Sequence, residues 1–456
     1  METEHKVTIV TLKKEKDIIR QVINESNWYL IGCVLSLTMI GLLMIYSTTL
    51  SNSLSYVIKQ FFAFLVGVTI LFLFSIINYQ LFQAYYIHLY GFSVILLTLV
   101  LFIGTAYRNT RAWIDFKLFS LQVSEIARIL FILSLAGFID RDYTKNRRLI
   151  QLFKIVAFFG LIAFLLILQP DFSALVVYFP IITIMLYLSG VNRKLLSYGL
   201  LFGFTTAVLV LIKIYLMIKE NVRSSNIVNF VNASLNDINI QYIIVLILIG
   251  ILTWFVWWIL KKLLFRVKIS YLILTIIVLW SSYTLVNFSH RFVKLYQQKR
   301  LIAFLDPYFD PTGAGYQIIQ TRIAIGSGRI FGKGLFGSTQ AKLGFVPEKH
   351  TDFIFSVICE EFGLLGATIV ISLYLLLILE GTKIMFSARD TFGVLLSSSI
   401  VSMFAFYFFI NVGMCLGILP VVGLPLPFLS YGGSNLVSSY MAVGILNSIH
   451  IRRYIY

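Results

Sequence analysis

Charged residues are scarce in this chain of 456 residues: only 12% are Asp, Glu, Lys or Arg, whereas 59% are hydrophobic. Soluble domains carry roughly a quarter charged residues, so the composition excludes a soluble globular enzyme. The same surplus of apolar residues excludes a disordered chain. The formal net charge of +17 does not indicate a nucleic-acid-binding protein, because the basic residues are scattered in short clusters instead of lying on one solvated face.

Cysteine is equally rare. Cys33, Cys359 and Cys415 lie singly in apolar runs, with spacings that fit neither a disulfide framework nor a metal site. We predict that all three are small buried hydrophobic residues. A cleavable signal peptide is not apparent either, because residues 1–27 are polar, so the first apolar run is expected to act as the insertion signal.

Apolar runs long enough to cross a membrane dominate the sequence, since a spanning helix takes about 20 residues. We count twelve, and we therefore predict an all-α polytopic integral membrane protein with a helical bundle of about twelve transmembrane helices. The predicted spans are residues 28–48, 55–77, 83–105, 121–139, 150–169, 172–190, 195–218, 240–260, 269–288, 353–380, 391–418 and 429–450.

The distribution of Lys and Arg between these spans predicts their orientation. With the N-terminus inside, the inner segments carry nineteen basic residues and the short outer segments carry five. We therefore expect a multi-pass protein of the cytoplasmic membrane with both termini in the cytoplasm.

Residues 289–352 form a predicted outer loop with nine basic residues, four acidic residues and eight glycines. A loop this long in a compact protein is usually functional or disordered; its many aromatic and apolar residues favour a function over a flexible connector. Within it, residues 316–325 have apolar side chains at helical spacing, which predicts an amphipathic helix at the membrane surface. The predicted regions are a cytoplasmic tail (1–27), an N-terminal transmembrane region (28–288), this outer loop (289–352) and a C-terminal transmembrane region with a short tail (353–456).

Ionisable residues inside predicted spans indicate either a function or a helix contact, because lipid excludes an unpaired charge. Glu125 and Arg128 lie three residues apart and can pair on one helix face. Asp171, at a span junction, could cap the next helix or have a functional role. Glu360 and Glu361 point about 100° apart on a helix, so at most one of them can face a given cavity.

Asp352 lies at the outer end of a predicted span, after Lys349 and His350. Thr351 or Asp352 could be an ordinary helix N-cap. Alternatively, the carboxylate could be a general base toward a hydroxyl of a lipid-linked substrate, with the neighbouring cations stabilising a phosphate-bearing leaving group. From the residues alone, the chain is an enzyme or a transporter for an anionic amphiphile.

Two long strings resemble the SEDS family of shape, elongation, division and sporulation proteins, which includes RodA, FtsW and SpoVE. They are LDPYFDPTGAGYQIIQTRIAIGSGRIFGKGLFGSTQ with FVPEKHTDFIFSVICEEFGLLG (305–366) and GILPVVGLPLPFLSYGGSNL (417–436). Weaker similarities are RAWIDF and LQVSE (111–125) and LQPD (168–171). The strings PVVGLPLPF and GAGYQIIQ are more similar to the RodA branch.

This resemblance implies a peptidoglycan glycosyltransferase that polymerises lipid II into glycan strands at the outer face of the bacterial cytoplasmic membrane, for elongation, division or sporulation. It implies that Asp352 is the catalytic residue, which takes the proton from the acceptor hydroxyl during an inverting attack that releases undecaprenyl diphosphate. The implied partners are a class B penicillin-binding protein, other proteins of the cell-wall synthesis complex and membrane lipids. Because the family typically has ten spans, the region 219–288 is expected to insert two helices.

The predicted substrate-binding residues lie in the matching strings. They are Trp113, Glu125, Arg128, Asp171, Lys349, His350, Tyr431, Gly432, Gly433 and Ser434. Gly432 and Gly433 either allow close approach of the substrate or merely allow helix crowding. We predict no metal site, and a divalent cation such as Mg²⁺ or Mn²⁺ would bind through the substrate diphosphate.

The sequence departs from the family pattern in its N-terminal half. Val123 replaces the proline of the QPSE string, and Arg128 replaces a lysine, whereas HTDFIF is intact. Two other functions therefore stay open: a lipid II transporter, or flippase, and a catalytically inactive scaffold of the cell-wall synthesis complex. The intact HTDFIF string favours the polymerase.

Overall fold

The structure, a computed structural model, is almost entirely helical in the part of the chain that it describes. The described residues are 22–49, 54–107, 110–115, 120–142, 148–219, 230–231, 233–235, 238–263, 268–288, 295–309, 313–342, 344–346 and 348–454. In chain order the elements are α1 (Trp28–Thr49), α2 (Ser55–Ile76), α3 (Gln80–Ala84), α4 (Tyr86–Ile103), β1 (Thr105–Tyr107), β2 (Thr110–Asp115), β3 (Ser120–Gln122), α5 (Val123–Asp142), α6 (Arg148–Leu168), α7 (Phe172–Leu188), α8 (Arg193–Lys219), α9 (Ile240–Lys262), α10 (Ile269–Phe288), α11 (Leu295–Leu305), α12 (Ala314–Ser327), α13 (Thr339–Lys342), α14 (Ile354–Ser387), α15 (Thr391–Cys415) and α16 (Gly433–Ile451).

Eight helices among the described residues are long and apolar enough to cross a membrane: α1, α2, α4, α8, α9, α10, α14 and α15. The other predicted spans coincide with α5, α6, α7 and α16, so a helix lies at each of the twelve predicted positions. The apolar stretches of α6 and α7 are shorter (Phe153–Leu168 and Phe172–Leu188), and α5 and α16 bury polar or ionisable side chains. The predicted all-α architecture is confirmed, and the chain is a multi-pass membrane protein.

A three-stranded antiparallel sheet, in the order β1-β2-β3, lies between α4 and α5 and is absent from the sequence-based prediction. On β2, the Cα of Trp113 pairs with Thr105 of β1 and with Gln122 of β3. Strands β1 and β3 have only three residues each, which is too short for an alternating pattern to be recognised. The sheet carries one predicted site residue, Trp113, to the start of α5.

The first compact unit is formed by described residues within 1–189, 320–416 and 422–456. In this unit α16 packs against α2 so closely that a Cβ on Gly67 would lie 2.5 Å from the ring of Tyr440. The Tyr440 hydroxyl lies 2.8 Å from Thr38 Oγ1 on α1. The missing side chain at Gly67 therefore allows the close helix contact that holds the last helix beside the first two.

The second compact unit is formed by described residues within 190–319 and 417–421. It contains α8 and also α9 and α10, which lie in the region predicted to hold two inserted helices. The stacked rings of Tyr242 and Tyr283, with centroids 5.6 Å apart, belong to its core. Lys213 on α8 is only 3% exposed.

The Lys213 ammonium donates to three backbone carbonyls: Leu235 at 2.9 Å, Val286 at 3.1 Å and Asn287 at 3.3 Å. The last two carbonyls belong to the final turn of α10, where carbonyl groups lack helical partners and a cation is favoured. The buried lysine therefore supplies hydrogen-bond donors to two carbonyl groups in the last turn of α10.

Candidate functional site

Asp352 lies half-buried in the turn immediately before α14, in the first compact unit. The N-cap residue of α14 is Phe353, and its side chain makes no capping hydrogen bond. The alternative that Thr351 or Asp352 is the ordinary N-cap of this helix is therefore wrong.

The main chain at Asp352 is held by a buried amide. Asn411 on α15 is 0% exposed, and its Nδ2 donates to the carbonyls of Asp352 at 2.9 Å and Leu424 at 2.8 Å. One side chain thus fixes both the turn before α14 and the segment after α15. Asn411 is not among the predicted site residues, although a polar residue inside an apolar run is itself a signal of function or packing.

The SYGGS string, residues 430–434, lies against this same turn. Ser430 Oγ donates to the Thr351 carbonyl at 2.6 Å, and the Tyr431 N–H donates to the His350 carbonyl at 2.8 Å. The two strings that carry the family resemblance are therefore neighbours in space, although about eighty residues separate them in the sequence.

A second buried amide supports the SYGGS string. Gln60 on α2 is 1% exposed, donates Nε2 to the Ser430 carbonyl at 3.2 Å and accepts the N–H of Gly432 at 3.1 Å. The amide matches one carbonyl and one N–H of an irregular backbone, which would otherwise remain unsatisfied in an apolar surrounding. Gln60 is a second polar span residue that is not among the predicted site residues.

Three aromatic rings meet beside Asp352. The centroid of the His350 ring lies 5.2 Å from that of Tyr56 and 5.7 Å from that of Tyr431, and the two tyrosine rings are 5.1 Å apart. These distances are typical of favourable aromatic contacts. Two predicted site residues, His350 and Tyr431, thus lie in contact with each other. Tyr56, which also contacts both rings, was not among the predicted residues.

Lys349, which precedes this aromatic contact, is only 8% exposed. Burial lowers the pKa of its ammonium below the ordinary value, because removal from water disfavours the charged form. An anionic group that contacted Lys349 would favour the charged form again.

Glu125 and Arg128 form the predicted ion pair on α5, and both are buried, at 5% and 1% exposure. The Arg128 guanidinium also donates to the Tyr407 hydroxyl and lies 5.0 Å from the centroid of that ring. Ser438 Oγ donates to Glu125 Oε2 at 3.3 Å. The pair therefore joins α5 to α15 and α16.

Asp171 is 3% exposed, and its carboxylate accepts four hydrogen bonds. Its Oδ1 accepts from the Ala174 N–H at 3.1 Å and from Ser173 Oγ at 3.0 Å, so the residue caps α7 as one alternative predicted. Its Oδ2 accepts from Ser124 Oγ at 2.9 Å and from Gln122 Nε2 at 3.1 Å. Asp171 thus also connects the start of α7 to the start of α5.

Ser434 connects the SYGGS string to the small sheet. Its Oγ donates to the Ser120 carbonyl at 3.0 Å and accepts the Gln122 N–H at 2.8 Å. Because Gln122 pairs with Trp113 across the sheet, Ser434 brings the N-terminal and C-terminal predicted residues into one connected region.

Gly432 and Gly433 lie at the start of α16. A Cβ on Gly433 would lie 3.4 Å from Ala63 Cβ on α2, and a Cβ on Gly432 would lie 3.7 Å from Asn435 Cβ. Both distances are ordinary van der Waals contacts, so helix crowding does not require glycine at either position.

Three buried donors near the Glu125–Arg128 pair have no hydrogen-bond partner within the described part of the chain. They are Arg128 Nε, Asn435 Nδ2 on α16 and the hydroxyl of Tyr178 on α7, which is 0% exposed. A buried unsatisfied donor is costly and calls for an explanation such as a bound polar group or water. Tyr178 was not among the predicted residues.

Glu360 on α14 organises the glycine-rich segment that precedes Asp352. Its Oε1 accepts from Lys333 Nζ at 2.7 Å, from the Thr339 N–H at 2.8 Å and hydroxyl at 3.0 Å, and from the Gln340 N–H at 3.0 Å. Lys333 is partly exposed, whereas Glu360 is fully buried. The carboxylate therefore holds residues 333–340 against α14.

Glu361 points in a different direction, as the helical spacing predicted. Its Oε1 accepts from Ser47 Oγ at 2.5 Å and from Ser338 Oγ at 2.8 Å. The two adjacent glutamates thus bind different parts of the surrounding chain.

Glycines allow this segment to touch the backbone of α14. A Cβ on Gly328 would lie 1.8 Å from the Cys359 carbonyl oxygen, and one on Gly332 would lie 2.1 Å from that of Glu361. Gly363, at φ +62°, kinks α14 at the same place. Close backbone contact therefore explains at least these three glycines.

Within the described ranges, no group of three or more His, Cys, Asp or Glu side chains is arranged to hold a metal ion. Glu125 and Glu360 are instead paired with Arg128 and Lys333, and the Asp171 carboxylate accepts from hydroxyl and amide donors.

The chain is similar to named proteins over almost its whole length. It is 34% identical over 445 residues to "Peptidoglycan glycosyltransferase RodA" of Treponema pallidum, covering 94% of this chain and 99% of that protein. It is 30% identical to "Probable peptidoglycan glycosyltransferase FtsW" of Trichlorobacter lovleyi, covering 93% of each chain.

The fold matches that of a chain in a solved structure described as "Structural coordination of polymerization and crosslinking by a peptidoglycan synthase complex". The TM-score is 0.67 at 24% identity, with 94% of this chain and 99% of that chain covered. At this identity the likeness supports the fold alone.

The model of the FtsW, RodA and SpoVE family, described as "Cell cycle protein", matches residues 27–253 and 238–455. These ranges include every predicted site residue, from Trp113 to Ser434. The chain therefore belongs to the FtsW/RodA/SpoVE family, which is the SEDS family that its sequence resembles.

Proposed function

We propose that this chain is a peptidoglycan glycosyltransferase that polymerises lipid II into glycan strands. Relatives that it matches over more than nine-tenths of its length carry the words "peptidoglycan glycosyltransferase" in their names. The observation that carries the proposal is the turn at Asp352, where a half-buried carboxylate belongs to a backbone held by the fully buried Asn411. A general base needs such a rigid support to meet its substrate in a productive geometry.

In the proposed reaction, the Asp352 carboxylate accepts the proton of the acceptor sugar hydroxyl. As that O–H bond breaks, the oxygen forms a bond to the anomeric carbon of the donor, on the face opposite the diphosphate. The bond between this carbon and the diphosphate oxygen breaks with its electron pair. Undecaprenyl diphosphate leaves, and the configuration at the anomeric carbon is inverted.

The residues before Asp352 are proposed to bind the diphosphate. Burial lowers the pKa of Lys349, and the approach of the diphosphate would restore its charge and give a charge-assisted hydrogen bond. His350 and Tyr431 are proposed to line the sugar or diphosphate beside this cation, with Gly432 and Gly433 exposing backbone to the substrate.

The buried cluster on α5, α7 and α16 is proposed to complete the substrate site. Glu125, Asp171 and Ser434 fix these elements through the hydrogen bonds described above. The unsatisfied Arg128 Nε and Tyr178 hydroxyl would donate to polar groups of the lipid-linked sugar. Trp113 would provide an apolar surface beside them.

The proposed topology places both termini in the cytoplasm and the Asp352 turn at the outer face of the bacterial cytoplasmic membrane. It follows from the excess of Lys and Arg in the predicted inner segments. A class B penicillin-binding protein is the proposed partner, because a polymerised strand must then be crosslinked. For Mg²⁺ or Mn²⁺, the substrate diphosphate is the proposed ligand.

The test uses the full chain, purified with its class B partner and reconstituted in vesicles with fluorescent lipid II. Two readouts are taken from the same sample: glycan ladders on a gel, and the fraction of lipid II that moves between the leaflets. Ladders are the expected result. Transfer between leaflets without ladders would replace the proposal by a transporter, and neither ladders nor transfer would replace it by a scaffold.

A further inference from the structure

A cavity of about 300 Å³ lies among α8, α9 and α10, wholly within the second compact unit. Its walls include Trp257 and leucine side chains from α9, Tyr198 from α8 and Tyr271 from α10. Ligand pockets range from about 300 to 1,000 Å³, so this cavity can hold part of a flexible chain. It is too small for a helix, which is about 10 Å across.

The polar groups of the wall already have hydrogen-bond partners: Thr253 Oγ1 donates to the Ile249 carbonyl, and the Tyr271 hydroxyl accepts from Lys194 Nζ. The Tyr198 hydroxyl donates to the Tyr271 carbonyl at 3.2 Å and lies 3.4 Å from Thr275 Oγ1. A polar ligand would therefore gain little from these groups, whereas an apolar chain would bury the surrounding aromatic and leucine surface.

Exposed lysines lie on the rings that form these walls. Lys194 Nζ is 4.5 Å from the centroid of the Tyr271 ring, and Lys261 Nζ is 5.2 Å from that of Trp257. The ammonium group has three donors, so each lysine can keep its ring contact and still bind a phosphate.

The chain around the cavity is basic without any acidic counterpart. Residues 190–200 and 255–275 contain six Lys or Arg residues and no Asp or Glu. The described ones among them lie at the start of α8, at the end of α9 and just before α10, which is the end of the three-helix group where the cavity is found; they are Arg193, Lys194, Lys261, Lys262 and Lys268. The apolar cavity and the positive charge therefore occur together.

We propose that this cavity binds an anionic phospholipid, with an acyl chain beside Trp257 and Tyr271 and the phosphate at Lys194 and Lys261. Clusters of basic residues next to a membrane helix are attracted to anionic lipid headgroups. The bound lipid fills the space among the three helices of the second unit. The packing of these helices therefore depends on the content of anionic lipid in the membrane. This role is separate from the chemistry at Asp352.

The test measures fluorescence quenching by brominated acyl chains. The full chain and its Trp257→Phe variant are reconstituted in phosphatidylcholine vesicles that contain brominated phosphatidylglycerol or, at the same mole fraction, brominated phosphatidylcholine. Brominated phosphatidylglycerol is expected to quench the native chain more strongly, and this excess is expected to vanish in Trp257→Phe. Equal quenching by the two lipids, or an excess that survives in Trp257→Phe, would overturn the proposal.

A charge variant tests the headgroup contact. The double change Lys194→Gln and Lys261→Gln is expected to lower the preference for phosphatidylglycerol by about thirtyfold. Lys383→Gln is the matched control, because Lys383 is exposed and pairs with Glu380 in the other unit; it is expected to keep the native preference. An unchanged preference in the double variant would exclude a phosphate site at these lysines.

Discussion

At the scale of single residues, the Glu125–Arg128 pair is an example of charge that is stabilised inside a membrane protein. The forked guanidinium reaches the Glu125 carboxylate and the Tyr407 hydroxyl together, and Ser438 donates to the same carboxylate. A lysine at position 128 would offer a point charge that cannot reproduce both contacts with the same geometry. Arginine is therefore the better partner for Tyr407 in this chain.

We expect Arg128→Ala to lower the stability of the protein by about 3–5 kcal/mol, because it leaves the buried Glu125 carboxylate without its counter-charge. Arg128→Lys should cost less, since it keeps the charge but loses the fork. Thermal unfolding in detergent, with the double change Glu125→Gln and Arg128→Met as control, checks this order. The double variant should be more stable than Arg128→Ala. Equal losses for Ala and Lys would reject the pairing as the reason.

At the scale of elements, α14 and the glycine-rich segment before it form one packed unit. The Lys333 and Gly334 N–H groups donate to the carbonyls of Glu360 and Glu361 at 3.0 and 2.9 Å. These carbonyls are free to accept because the helix is kinked at Gly363. At the kink, these two carbonyls of α14 therefore bind the glycine-rich segment that leads to Asp352 instead of N–H groups of their own helix.

A pair of glycine substitutions tests this contact. Gly328→Ala should displace the segment, because its Cβ would lie 1.8 Å from the Cys359 carbonyl oxygen. Gly326→Ala is the matched control in the neighbouring turn, because its Cβ would meet nothing within 4 Å. We expect at least a tenfold loss of polymerisation, about 1.4 kcal/mol in the barrier, for Gly328→Ala only. Similar rates for the two variants would mean that the close backbone contact has no role in activity.

At the scale of the whole molecule, the positions of the helices could be predicted because hydrophobic length is set by the membrane itself. The predicted span 269–288 has the same bounds as α10, and the predicted span 240–260 ends two residues before α9 does. The small sheet was not, because strands as short as β1 and β3 show no periodicity. Membrane-spanning length is therefore a much stronger signal than strand pattern in this chain.

The candidate site could be predicted only where single residues carry a charge or belong to a recognised string. Asn411 and Gln60 were missed because they are uncharged, although their place in apolar spans was visible in the sequence. The contact of Glu360 with residues 333–340 depends on the kink at Gly363, which no spacing rule gives. Long-range hydrogen bonds of this kind follow from the fold and not from local pattern.

The role of Asp352 as the general base is tested most directly by the glycan polymerisation rates of three proteins, each purified with the class B partner. They are the native chain, Asp352→Asn and Asp306→Asn. Asp352→Asn keeps the shape of the side chain but cannot accept the proton, so we expect the rate to fall by about 10²–10⁴-fold while lipid II still binds. Asp306, an exposed acidic residue before α12, should tolerate the same change with a native rate. Polymerisation by Asp352→Asn at the rate of the native chain would contradict the assignment of Asp352 as the general base.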